Sequence, residues 1–146
     1  MDWKKLQNGS DIRGVATEGV EGEEVNLTPE VVRTLAQSFV KWLKDKTGTA
    51  RPSIAVGTDS RISGPALKAS LTEGFTDSGA DVLDCGMAST PAMFMTTVDK
   101  ERPATAGIMI TASHLPFNRN GLKFFTKDGG LNKKDISAIL TIAENG

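Results

Sequence analysis

Short apolar runs of strand length alternate with stretches of helical periodicity along this chain. That alternation constrains the fold more than any other feature. The most regular stretch sets Val31, Val32, Leu35, Ala36, Phe39, Val40 and Leu43 on one helical face. Thr28 stands where a cap belongs, Pro29 suits the first turn, and Glu30 complements the positive end of the helix dipole. Lys44 and Lys46 sit at the other end, with Gly48 as a stop. A buried strand reads over 53–57, bounded by Pro52 and closing on Gly57. A second helix opens at Gly64 and Pro65, turns Leu67, Leu71 and Phe75 inward and closes at Gly79. Further along come a strand over 81–85, a short helix over 90–98 and a strand over 105–111. A loop over 112–120 leads to a short strand over 122–125 and a turn at 128–130. The last helix, about 134–143, carries Ile136, Ile139, Leu140 and Ala143 on one face. Elements in this order predict an α/β fold: a three-layer α/β/α sandwich with a mixed, mostly parallel sheet, forming one domain over 1–146. Thr111 and Leu122 are linked too tightly for a helical crossover, so that pairing is expected to be antiparallel.

Composition narrows the function. Seventeen Lys and Arg balance eighteen Asp and Glu, a net charge of −1, so no basic field for nucleic acid is expected. One Cys and one His exclude a disulfide framework and a Cys/His zinc cage within the chain. The longest uncharged stretch, 103–118, contains Pro, His and Asn and is too short and polar to span a bilayer. No membrane association is expected, and with no address-like segment the cytoplasm is the expected location. Neither the P-loop pattern nor the dinucleotide-binding glycine pattern occurs, and Ser113 beside His114 is not inside a nucleophile elbow.

Ligands of open α/β sheets gather beyond the carboxyl ends of strands. Three polar clusters are expected at such ends: Ser10, Asp11 and Arg13; Thr58, Asp59 and Arg61; and the run from Thr111 through Ser113 and His114 toward Lys123. Together they offer a hydroxyl, an imidazole, two guanidinium groups and an ammonium, the chemistry of a site that carries and neutralises a phosphoryl group. Each also has a plainer reading. Ser113 suits a turn hydroxyl and His114 a structural histidine. Arg13 and Arg61 suit ion pairs with the nearby Asp11 and Asp59. Lys123, between Leu122 and Phe124, suits the solvent side of an edge strand. Spacing alone leaves both readings open.

The combination adds a resemblance. The string TASHLP at 111–116, followed by NGLK at 120–123, resembles the phosphoserine loop of the α-D-phosphohexomutases, usually TASHNP followed by N-G-x-K. DIRG at 11–14 resembles the family's D-x-R-G, and GTDSR at 57–61 its G-x-D-x-R. The resemblance implies that Ser113 carries the transferable phosphoryl group, with His114 orienting or polarising the site. It implies that Lys123 and Arg13 assist proton transfer and charge neutralisation, and that Arg61 joins them in binding phosphate. A hexose phosphate would be the substrate, interconverted between its 1- and 6-phosphates through a hexose 1,6-bisphosphate. Mg²⁺ would be held by the phosphate on Ser113 and by ligands outside this chain. Leu115 departs from the pattern, removing the polar side chain of the usual Asn. The family's metal-binding D-G-D-x-D-R, its sugar-selecting G-E-x-S-G and its R-x-S-G-T strings are all missing. The resemblance therefore implies the first domain of a longer enzyme, inactive alone, whose partners are the remaining domains. A competing expectation is a stand-alone, non-catalytic phosphate-binding or receiver-like module, with Asp11 and Asp59 as a loose imitation of the acidic residues a receiver needs.

Overall fold

A computed structural model of the chain describes residues 2–111 and 115–145. After a 3₁₀ turn at Trp3–Leu6, the elements run β1 (Gln7–Asn8), β2 (Asp11–Val15), α1 (Pro29–Thr47), β3 (Ser53–Thr58), α2 (Gly64–Asp77), β4 (Asp81–Met87), α3 (Thr90–Thr97), β5 (Ala106–Ile110), β6 (Arg119–Thr126), β7 (Gly129–Gly130) and α4 (Lys133–Asn145). The sheet order is β1-β2-β6-β5-β3-β4, with β7 pairing the far end of β6.

The helices begin and end where local chemistry dictates. The Thr28 hydroxyl accepts from the Val31 amide at the start of α1, with Pro29 in the first turn, and Gly48 closes the helix with φ +71°. Ser89 caps α3 in the same way, accepting from the Ala92 amide.

The parallel block is β4-β3-β5, where each crossover is a helix: α2 between β3 and β4, α3 between β4 and β5. The tight link after β5 gives an antiparallel partner, with Ile110 opposite Leu122, as the short connection requires. β6 is antiparallel on its other side too, to β2, with Ile12 opposite Leu122. Hence β2, β3, β4 and β5 share one direction while β6 reverses it, a mixed sheet.

Alternation along the strands sorts the layers. Ile12, Ile54, Val56, Ile108, Ile110, Leu122 and Phe124 enter the larger core, packed under α1, α2 and α4. Phe39 of α1 sits against Phe124, with ring centroids 4.7 Å apart. Ala55, Met109 and Phe125 face the other way, into a smaller core closed by Met93 of α3. The helices thus lie on both faces.

Three expectations change. The 10–14 cluster does not follow a strand: Asp11–Val15 is itself a strand, recruited to the sheet by β6 from more than 100 residues away. Lys123 is not on an edge strand, because β6 lies between β2 and β5. The strand expected at 122–125 begins earlier, at Arg119, so the loop after β5 is shorter than expected.

Candidate active site

Ile12 and Leu122 enter the larger core, so their strand neighbours Asp11, Arg13 and Lys123 emerge together on the opposite face of the sheet. There Asp11 is shared: Oδ2 lies 3.3 Å from Arg13 Nη2 and Oδ1 lies 3.4 Å from Lys123 Nζ. Two cations around one carboxylate leave a local excess of positive charge. Among the described residues the buried Arg13 Nε has no hydrogen-bond partner, so this guanidinium keeps a donor that a further oxygen would satisfy.

Gly121, opposite Arg13 in the ladder, makes room for that side chain. A Cβ at Gly121 would sit 2.7 Å from Arg13 Cγ, 2.7 Å from the Ile12 carbonyl and 3.0 Å from the Thr111 carbonyl. Arg13 Cγ therefore lies over Gly121, whose carbonyl accepts from the amide of Thr111, the last described residue before the loop that contains Ser113. Ser113 and His114 themselves lie outside the described residues.

The flanks of that loop are held by a second cluster at the carboxyl ends of β3 and β5. The Thr111 hydroxyl donates to Asp59 Oδ2 at 2.7 Å, and the Arg61 amide donates to Asp59 Oδ1 at 3.0 Å. The Arg61 guanidinium lies 3.7 Å from Asp59 Oδ2 and turns inward, donating to the carbonyls of Leu115, Pro116 and Arg119. Leu115, whose side chain departs from the usual asparagine, is thus engaged through its backbone.

A third arm comes from the loop over 16–27, beyond the true carboxyl end of β2. The Ala16 and Thr17 amides donate to the Asn118 carbonyl, and Arg119 donates to Glu23 Oε1 through Nε at 3.0 Å and Nη2 at 2.7 Å. Asn120, with no exposed surface, donates to the Ser63 hydroxyl at 2.8 Å and accepts from the Gly121 amide.

Of the expected residues, Arg13 and Lys123 are therefore together, while Arg61 sits with the loop backbone and in an ion pair with Asp59. Thr111, Asn118 and Asn120 lie inside the run singled out in the sequence, where none of them was given a role, and Glu23 was not expected to contribute. Asn120 could have been found, because N-G-x-K belongs to the recognised pattern; Glu23 carries no signal in sequence.

Among the described residues no three His, Cys, Asp or Glu side chains come together as a metal cage. Asp11, Asp59 and Glu23, the carboxylates engaged around this loop, are each already paired with a cation. This part of the chain does not by itself fit a divalent ion.

Residues 4–146 match the profile of the phosphoglucomutase/phosphomannomutase alpha/beta/alpha domain I. The chain belongs to this family. Among curated relatives, a phosphoglucosamine mutase of Thermoanaerobacter sp. (strain X514) is 45% identical over 114 residues, covering 77% of this chain and 25% of the relative. One from Exiguobacterium sibiricum is 41% identical over 134 residues, covering 88% and 29%. A solved phosphoglucomutase/phosphomannomutase family protein from Burkholderia thailandensis superposes with a TM-score of 0.81 at 25% identity, covering 97% of this chain and 30% of that one. The chain thus spans between a quarter and a third of the length of these family members.

Proposed function

We propose that this chain is the phosphoserine-bearing first domain of a longer hexose-phosphate mutase. The observation that carries the reading is the pairing of Arg13 and Lys123 around Asp11, on strands beside the end of β5 where the Ser113 loop departs. A phosphoserine carries nearly two negative charges, and its transfer to a second anion needs cations preplaced around it.

In this reading the bond between phosphorus and Ser113 Oγ breaks as a bond from a sugar hydroxyl forms. The proton of that hydroxyl passes in net to the departing Ser113 Oγ, with Lys123, held as an ammonium beside Asp11, assisting the transfer as a donor, and Arg13 offsets the charge on the moving phosphoryl group. His114 orients or polarises the serine. The hexose bisphosphate so formed then returns its other phosphate to Ser113, giving net exchange between the 1- and 6-phosphates. Mg²⁺, supplying further charge neutralisation, would take one oxygen from the Ser113 phosphate and its remaining ligands from outside this chain. The names of the relatives make glucosamine phosphate the first substrate to assay.

The receiver-like alternative has less support. Asp59 is engaged by Thr111 and Arg61, and the family match runs over nearly the whole chain.

The test is made in the full-length protein. Ser113→Ala should abolish turnover of hexosamine and hexose phosphates and remove the phosphate seen by intact-mass spectrometry. Retained turnover in that variant would sink the assignment of the nucleophile.

A further inference from the structure

We infer that Arg61 is a positioning residue: held beside Asp59, its guanidinium fixes the backbone of the nucleophile loop, and the substrate's phosphate is bound elsewhere. The inference rests on the mutase reading above.

The geometry is that of a clamp closed from both sides of the loop. Asp59 stands at the end of β3, where its own amide donates to the Ile110 carbonyl at 3.2 Å. One carboxylate oxygen receives the Thr111 hydroxyl, which fixes the residue leaving β5. The other receives the Arg61 amide, which turns the chain so that the Arg61 side chain points back across the loop. Its Nη1 then donates to the Pro116 carbonyl at 2.7 Å and the Arg119 carbonyl at 3.1 Å, and its Nη2 to the Leu115 carbonyl at 2.7 Å. The side chain is only 13% exposed.

Three carbonyls spread over five residues are thereby drawn to one rigid, planar group. Only a guanidinium presents that many donors in a fixed fork; an ammonium keeps the charge but not the fork. The departing residue, through Asp59, and the returning residues, through Arg61, are referred to the same strand end. Thr111 on one side and Leu115 on the other are therefore both anchored by this pair. In-line transfer depends on such placement, and misplacement by about 1 Å can cost on the order of 10²-fold in rate.

The experiment uses the full-length enzyme with Arg61→Lys, Arg61→Met and Asp59→Asn. Arg61→Lys is expected to lower kcat by on the order of 10²-fold with KM for the hexose phosphate within about twofold, the signature of lost transition-state placement. Amide exchange at Thr111 and Arg119 should accelerate in the same variant. Asp59→Asn should move kcat in the same direction, and it carries the test if neither Arg61 variant accumulates as folded protein.

A phosphate-binding Arg61 predicts the reverse: KM raised by about tenfold in Arg61→Met, largely rescued by Lys, with kcat near wild type. That result overturns the inference, as does unchanged exchange at Thr111 and Arg119. The two readings fail separately. Turnover surviving Ser113→Ala removes the mutase mechanism, whereas the exchange measurement reports on the clamp whether or not the enzyme turns over.

Discussion

Asn120 has no exposed surface, and its amide serves two neighbours at once. Its Nδ2 donates to the Ser63 hydroxyl just before α2, and its Oδ1 accepts from the Gly121 amide. Truncation to Ala strands a buried hydroxyl and a buried amide, each of which costs about 1–3 kcal/mol when left unpaired. Asn120→Ala is therefore expected to lower unfolding free energy by at least that range in urea titration. A loss within experimental error would mean that water replaces both bonds. Cys85 supplies a second test at this scale. Burial pushes its thiol above the ordinary value, and the charge of Asp84 adds to the shift. A raised pKa leaves less thiolate at a given pH, and the thiolate is the reactive form. Disulfide-exchange labelling of folded protein should therefore rise with pH at a higher midpoint than in urea-unfolded chain. Coincident midpoints would contradict the shift.

Helix α2 meets α1 at Gly74, where two effects of opposite sign compete. In an isolated helix Gly→Ala gains about 1 kcal/mol. Here the added Cβ would lie 2.6 Å from Ala36 Cβ and 2.7 Å from the Arg33 carbonyl, both fixed in α1. The two helices must separate, and overpacking of this kind costs about 1–3 kcal/mol. Gly74→Ala should therefore destabilise despite its better propensity, read as a lowered Tm; a raised Tm would show that the interface yields freely. The same scale shows what was readable beforehand. The ends of α1 were written locally, in Thr28, Pro29 and Gly48, and the structure uses all three. β2 was not readable as a strand, since Asp11, Arg13 and Gly14 are poor strand formers. It exists because β6 offers it an edge, a pairing across more than 100 residues that no local pattern reveals. The site divides in the same way. Arg13 and Lys123 stood out as charged residues inside recognisable strings, whereas Asp59 with Thr111, and Glu23 with Arg119, are partners across 52 and 96 residues and become visible only when the loops meet.

At the scale of the molecule the described site is cationic and incomplete. It places Arg13 and Lys123 together around Asp11, yet its carboxylates are spent on those cations and on the loop after β5, and no metal cage forms among the described residues. Three loops, 16–27, 59–63 and the one after β5, support one another through Asn118, Glu23 and Arg61. The described flanks of the loop are thus held by contacts within the chain, and among the described residues no carboxylate is left unpaired beside them to take a divalent ion. Two outcomes follow for the 146-residue chain alone. It should show no saturable isomerisation of hexose phosphates. Millimolar Mg²⁺ should also leave the Tm of the dephosphorylated chain unchanged. The second outcome is the sharper, because ligand present at 100 times its Kd adds about 2.7 kcal/mol to stability. For a domain of this size that amounts to a Tm increase of about 5–10 °C. A shift of that magnitude, reversed by a chelator, would show that the chain carries a complete metal site of its own. No shift would leave the ion dependent on the Ser113 phosphate and on ligands beyond this chain, and repeating the titration on phosphorylated chain would then isolate what that one phosphate contributes.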